Sequence, residues 1–455
     1  MTLEVIILAA GQGSRMRSST PKVLHLLGGK PLLQHVVDAA RSLKPSAVHV
    51  VVGHGAEAVR EAMAGNALNW VEQTEQLGTG HAVLQALPAL GSDSTALVLY
   101  GDVPLVSASV LQALVEAAQQ APALLTAVLE DPTGYGRVLR DATNEFRAVV
   151  EHKDASADEL AVTEVNTGIL AAPAQLLQRF LPQVGNNNQQ NEYYLPDVLS
   201  LSVAEGIAVR TASVADPLEV LGVNDQLQLS RLERELQRQR ADALLLAGVR
   251  LADPARIDIR GELRCGRDVF IDVNCVFVGD VELGDGVQIG PNCVIVDSQV
   301  AAGSEVCAMS HLQQALIGDV CTVGPYARLR PGTELAAGAR VGNFVETKKA
   351  HIGAGSKVNH LSYIGDCEMG SGANIGAGTI TCNYDGVNKH ITRIGDGAFV
   401  GSNATLVAPL EIGNDGFVAA GSTITREVPT AELAVARGKQ RNIQGWKRPG
   451  KVNKD

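Results

Sequence analysis

The stretch 317–342, IGDVCTVGPYARLRPGTELAAGARVG, places an aliphatic residue at 317, 323, 329, 335 and 341, with Gly318, Gly324 and Gly342 directly after three of them. The same six-residue period returns in 394–424, at Ile394, Val400, Leu406, Ile412, Val418 and Ile424. A hexad repeat with glycine at the corners predicts a stacked parallel β-helix, three hexads to a coil, aliphatic side chains pointing inward. From about residue 248 onward this leaves room for about nine or ten coils spaced by roughly 4.8 Å. A narrow interior agrees with the 4% aromatic content. The period breaks at Thr347–Ala350 and again at Gly378–Thr392. Breaks in a solenoid are expected to eject loops, and loops carry function.

Working back along the chain, 227–247 (LQLSRLERELQRQRADALLLA) has neither Gly nor Pro and predicts a long, largely exposed linker helix. Residues 1–226 alternate apolar strands (5–8, 48–52, 96–100) with helical stretches (30–43, 55–64), the order of an α/β, Rossmann-like domain with a mostly parallel sheet. The expected domains are therefore 1–226, the linker 227–247, and the β-helix 248–455. Ligands bind such sheets at the carboxyl ends of strands, where Gly11 to Arg17, Gly53–Gly55 and Gly101-Asp102 fall.

Net charge is −11, which argues against nucleic acid or an anionic membrane surface as partner. No signal peptide and no 18-residue apolar run is evident, so a cytoplasmic location without a membrane span is expected. All seven cysteines lie beyond residue 260 without a CxxC pair. They are expected to be small core residues and not zinc ligands, because Cys293 and Cys321 occupy the slot filled elsewhere by Ser362, Ala373, Ala398 and Ala404. The polar tail from about Gly445 to Asp455 reads as disordered.

The N-terminal chemistry lies in Leu8–Lys22, LAAGQGSRMRSSTPK. Leu8, Ala9, Ala10 and Gly11 close the first strand, and Gly11 and Gly13 let backbone N–H groups approach phosphate oxygens. Arg15 and Lys22 can then neutralise a triphosphate. A bare GxG is equally a glycine turn, and no GK[ST] follows, so a P-loop is excluded. The full GxGSRM…Pro21-Lys22 run, however, resembles the sugar-1-phosphate nucleotidyltransferases, with Ser14 in place of the more usual Thr. The pattern continues in order through Gln73, Gly78-Thr79, Tyr100-Gly101-Asp102, Gly136, Glu151, Asn166 and Asn224. That resemblance implies that Asp102 and Asn224 hold Mg²⁺, that Gln73, Gly78 and Thr79 read uracil, and that Gly136, Glu151 and Asn166 hold the sugar. Mg²⁺ suits such a site, since it takes few protein oxygens alongside phosphates.

A hexapeptide β-helix leaves activity open. Its distinctive residues stand in breaks and corners: Arg330, Lys348, His360, Tyr363, Asn374 and Asn383-Tyr384. Together with NIGAGTITCNYDG they resemble the family that joins an N-acetylglucosamine-1-phosphate uridyltransferase to a glucosamine-1-phosphate N-acetyltransferase, over nearly the whole chain. The resemblance implies homotrimers of left-handed β-helices with acetyl sites between subunits. It implies His360 as general base, Arg330 and Lys348 on the sugar phosphate, and Tyr363 and Asn374 on the sugar. Ala377, Asn383, Tyr384, Ser402, Ala420 and Arg437 would line the acetyl-CoA site. The substrates implied are glucosamine 1-phosphate and acetyl-CoA, then N-acetylglucosamine 1-phosphate and UTP, on the way to cell-wall precursors. Departures from the pattern fall at Val358, Asn359, Asn191 and Pro196. His311, His351 and His390 are expected at the surface. Two other readings stay open: a nucleotidyltransferase with a regulatory or oligomerising β-helix, which His360 and Asn383-Tyr384 oppose, and a trimeric scaffold, which Arg15, Lys22, Asp102 and Asn224 oppose.

Overall fold

The apolar runs of the first half become strands covered on both faces. In the computed structural model, which describes residues 2–450, Ser94–Tyr100, Thr2–Ala9, Ala47–Val52 and Asn69–Glu72 lie in that order, all parallel. Val5, Ile7, Leu97 and Leu99 feed one core, and Ile6, Leu8, Ala96 and Val98 the other. This double burial explains why the strands read as unbroken apolar runs and not as alternating ones. Glu164–Pro173 enters antiparallel between Ser94–Tyr100 and Ala123–Val128, so the sheet is mixed at one side. Helices Leu32–Ser42 and Ala56–Ala62 fill the expected spans, the second starting after Gly55 at φ +72°.

The chain separates into two compact units, Met1–Leu236 and Gln237–Asp455, and the division falls inside helix Gln226–Leu246. Much of this helix is exposed, yet it carries a buried stripe that its polar composition hides. Leu232 and Leu236 pack with Met16, Leu27, Leu32 and Val223 in the first unit, while Ala241 joins the core of the second. Among the described residues no helix is long and apolar enough to cross a membrane.

The second unit is a left-handed parallel β-helix. One face is an eleven-stranded ladder from Arg250–Leu251 to Leu433–Ala434. Every hexad position named above is buried, from Ile317 to Val341 and from Ile394 to Ile424. Coils usually take 17 or 18 residues, as in Val294↔His311 and Val276↔Val294. Ile380, by contrast, pairs with Thr405, a step of 25, so the break at Gly378–Thr392 does eject a loop.

The break at Thr347–Ala350 does not. Strand Glu346–Ile352 continues through it with a turn at Lys349 (φ +44°), and Thr347 fills the inward slot because its hydroxyl is paired with that of Thr333 at 3.0 Å. The cysteine expectation also needs correction. Cys275, Cys293, Cys321 and Cys367 are buried, but Cys265, Cys307 and Cys382 are only half-buried. His351 is exposed, whereas His311 and His390 are half-buried in the ladder and the ejected loop. Of the tail expected to be disordered, 445–450 is exposed and 451–455 lies outside the described residues.

The first coil is closed by a polar clamp. Gln237, 2% exposed, donates through Nε2 to the Ile259 carbonyl at 2.8 Å and accepts from the Ile259 amide at 2.7 Å. Removing it strands the buried Ile259 amide, while the Ile259 carbonyl keeps the Arg240 guanidinium as donor. Gln237→Leu should destabilise the β-helix by about 1–3 kcal/mol, read as a lowered urea midpoint of the C-terminal transition with no change in slope.

Candidate active sites

At the carboxyl ends of Thr2–Ala9, Asn69–Glu72 and Ser94–Tyr100 opens a cleft of about 240 Å³. Of the expected residues, Leu8, Ala9, Ala10, Gly11, Lys22, Gln73, Gly78, Thr79, Tyr100 and Asp102 line it. Gly11 has open space where a Cβ would stand, which leaves room for a phosphate. Gly13, at φ +61°, lets the Lys22 stem pass where a Cβ would be 2.7 Å away. Gln73 is 4% exposed and donates to the Gly78 carbonyl at 3.2 Å, so its amide is held at the cleft wall. Gly78, at φ +106°, abuts the Tyr193 backbone, and Thr79 Oγ1 accepts from the Leu195 amide at 3.1 Å. Gly101 is buried beneath the cleft and lines none of it.

The loop 191–196 that departs from the family pattern has a physical role here. Asn191 sits at φ +54°, a conformation that Asn tolerates, and Pro196 precedes helix Asp197–Ala204. The loop thereby carries Glu192 into the cleft wall, a residue that sequence reading missed along with Gln76.

A second cleft shares Tyr100 and Asp102 and adds Arg15 and Asn224. Lys22 Nζ forms an ion pair with Asp102 Oδ2 and donates to Asn224 Oδ1 at 3.4 Å, while Arg15 donates to that same oxygen at 2.8 Å. The Val223 amide donates to the Asp102 carbonyl at 2.9 Å, which holds the two segments together. Two hard oxygens thus converge on one positive charge. That donor set fits Mg²⁺, whose remaining ligands come from phosphate and water.

Gly136, Glu151 and Asn166 form a third group. Asn166 donates its amide to the Gly136 carbonyl at 2.9 Å, and a Cβ on Gly136 would meet Glu151 Oε1 at 3.0 Å. Burial, then Asp197, Asp154 and Glu192, push the Glu151 carboxyl up. Burial, followed by Glu151, likewise holds the Tyr100 phenol protonated.

In the β-helix most of the expected site residues gather along two corners. Along the first, His360 accepts from the Gly378 amide, Ala377 from Asn403 at 2.7 Å, and Ser402 from Gly421 at 2.8 Å, all through backbone carbonyls. Arg437 then donates to the Ala420 carbonyl at 2.7 Å. Ala377, Ser402, Ala420 and Arg437 therefore stack on the ridge that begins at His360. Asn374 stands on the adjoining ladder between Lys357 and Phe399.

His360 Nδ1–H donates to Asn343 Oδ1 at 2.8 Å, which leaves Nε2 as the basic nitrogen. Asn343 was missed by sequence reading, although the 17-residue coil step places it directly below His360.

Along the second corner, Arg330 pairs with Glu346 at 2.8 Å, and Asn383 donates to Asp366. Tyr363 lies between Glu346 and Ile380 in register. The ejected loop carries Tyr384, bridged to Lys389, and presents Lys389 beside Lys348, whose own ammonium is pulled down by that neighbour. Lys389 is the other residue missed, a cation visible only once the loop folds back. Arg330, Lys348 and Lys389 make an anion-binding corner.

The fold and these constellations define a nucleotidyltransferase-type domain joined to a hexapeptide-repeat transferase domain. Comparison agrees: residues 5–165 match the family model of the MobA-like NTP transferase domain, and residues 264–297 match that of the bacterial transferase hexapeptide (six repeats). The "Bifunctional protein GlmU" of Marinobacter nauticus is 56% identical over 99% of each chain. Those of Pseudomonas putida (56%, all of each chain) and Cellvibrio japonicus (58%, 98% of this chain and 99% of that one) are equally similar. The chain belongs to the bifunctional GlmU family.

Burial, with Asp154 nearby, pushes the Asp197 carboxyl up to about 6. Its folded pKa exceeds its unfolded one, so this carboxyl does no harm below pH 4 and destabilises as pH rises through 6. Its place in the first turn of a helix trims the effect. Asp197→Asn should raise the melting temperature of the N-terminal unit at pH 7.5 by about 2 °C, with the gain fading as pH falls toward 4.

Proposed function

We propose that the chain makes UDP-N-acetylglucosamine in two steps at two separate sites. The observation that carries this reading is the coexistence of the Lys22–Asp102–Asn224–Arg15 constellation beside a nucleotide-sized cleft with a tautomer-fixed His360 beside an anion-binding corner.

At the β-helix, Arg330, Lys348 and Lys389 take the phosphate of glucosamine 1-phosphate, while Tyr363 and Asn374 orient the sugar. His360 Nε2 removes a proton from the 2-amino group as nitrogen attacks the acetyl-CoA thioester. The C–S bond breaks, and the imidazolium returns the proton to the leaving thiolate. CoA lies along the ridge of Ala377, Ser402 and Ala420, with Arg437 on a CoA phosphate and Asn383-Tyr384 at its acetyl end.

At the N-terminal cleft, Gln73, Gly78 and Thr79 read uracil, and Gly136, Glu151 and Asn166 hold N-acetylglucosamine 1-phosphate. The backbone from Leu8 to Gly11 receives the triphosphate, with Arg15 and Lys22 neutralising it. An oxygen of the sugar phosphate attacks the α-phosphorus in line, and the bond to pyrophosphate breaks. The nucleophile is already ionised, so positioning and charge neutralisation supply the catalysis. Mg²⁺, held by Asp102 and Asn224, would add charge compensation on the phosphates.

Hexapeptide repeats favour oligomerisation, and a homotrimer is the proposed assembly. Met309, Tyr326, Phe344 and Leu361 support it. These four apolar side chains sit one per coil on a single corner, each about half exposed or more and each at positive φ. Burial against another copy offsets both penalties. The proposed location is the cytoplasm.

His360→Ala should lower the rate of acetyl transfer by about a hundredfold or more and leave uridylyl transfer from N-acetylglucosamine 1-phosphate intact. Asp102→Ala should do the reverse. Full acetyl transfer by the His360 variant, measured as thiol release, contradicts the assignment of the base.

A further inference from the structure

The residue nearest to the proposed metal ligands is itself a cation. Lys22 and Asp102 are 16% and 14% exposed, so their charges interact through little water. The lysine is built into this position. Pro21 precedes its short helical turn, and Gly13 gives way for its stem. Asn224 is engaged as well, since its carboxamide oxygen accepts from Arg15 and from Lys22. Both oxygens that would hold a divalent cation therefore already face positive charge supplied by the chain.

We infer that Lys22 is a resident counter-ion that competes with the divalent metal for Asp102 and yields only when a triphosphate draws its ammonium away. This rests on the reading that Asp102 and Asn224 form the metal site. A metal entering alone must displace the Lys22 ammonium from the carboxylate it pairs with. With a triphosphate in the cleft, Lys22 exchanges one anionic partner for another, and Asp102 is freed. Metal and nucleotide then strengthen each other's binding by one shared coupling, equal in both directions. The arrangement keeps the Asp102 charge compensated in the free site and ties loading with metal to the arrival of substrate.

The probe is Mn²⁺, a paramagnetic stand-in, titrated into the full-length protein without sugar phosphate and followed by electron paramagnetic resonance. No turnover is involved. Lys22→Met should bind Mn²⁺ about ten- to a hundredfold more tightly than the parent chain. Lys22→Arg, which keeps the charge, should stay as weak as the parent, and Asp102→Asn should be weaker than either. A non-hydrolysable UTP analogue should tighten Mn²⁺ binding more in the parent than in Lys22→Met. If Lys22→Met misfolds by circular dichroism, Lys22→Gln serves the same purpose. Unchanged or weaker Mn²⁺ binding in the Lys22 variants, with affinity lost in Asp102→Asn, overturns the competition while leaving the metal site standing. Unchanged affinity in Asp102→Asn overturns the metal site itself, and the competition falls with it.

Discussion

A parallel strand buried on both of its faces has no side chain left to spend on chemistry along its length. Function has to gather where the strand stops. That constraint shapes the first unit in full, whereas the β-helix strands bury one face and leave the other to solvent. In the first, Thr2–Ala9 and Ser94–Tyr100 send alternate residues into two cores, so the cleft opens only past their carboxyl ends, at Ala10, Gly11 and Asp102. In the second, each coil commits its inward positions to one continuous core, and the proposed site residues stand at corners: His360 on one, Arg330, Lys348 and Asn383 around the other.

The two sites solve different chemical problems with different means. Uridylyl transfer uses a nucleophile that is already charged, and the site proposed for it is a set of cations and hard oxygens: Arg15, Lys22, Asp102 and Asn224. Acetyl transfer needs a proton moved, and the site proposed for it centres on the His360 imidazole, which is hydrogen-bonded to Asn343. A β-helix suits the second task because its coil step repeats. Residues 17 apart stack directly, and a base and the amide that orients it come into contact without a designed loop.

Much of this was legible in the sequence because the repeat is periodic and the nucleotide motif contiguous. The hexads from Ile317 to Ile424 marked the inward positions, and the run from Leu8 to Lys22 marked the cleft. What stayed hidden depended on contacts across turns. Thr347 read as a break, since a lone sequence cannot show that Thr333 awaits its hydroxyl inside the coil. Lys389 carries no signal in the sequence, since its place beside Lys348 depends on how the ejected loop folds. The helix Gln226–Leu246 read as exposed because its buried stripe is sparse, and one of its buried residues, Gln237, is polar and paired with backbone. Half-burial of Cys265, Cys307 and Cys382 followed from their places on the coils, which residue type alone does not reveal.

On the proposed reading the β-helix is an enzyme in its own right and not a platform for the nucleotidyltransferase. The most direct test is release of CoA when the purified chain meets glucosamine 1-phosphate and acetyl-CoA with no UTP present. The expected result is CoA and N-acetylglucosamine 1-phosphate in equal amounts, the sugar phosphate alone then being consumed, with pyrophosphate release, once UTP and Mg²⁺ are added. Absence of CoA release from folded protein that still turns over UTP and N-acetylglucosamine 1-phosphate contradicts it.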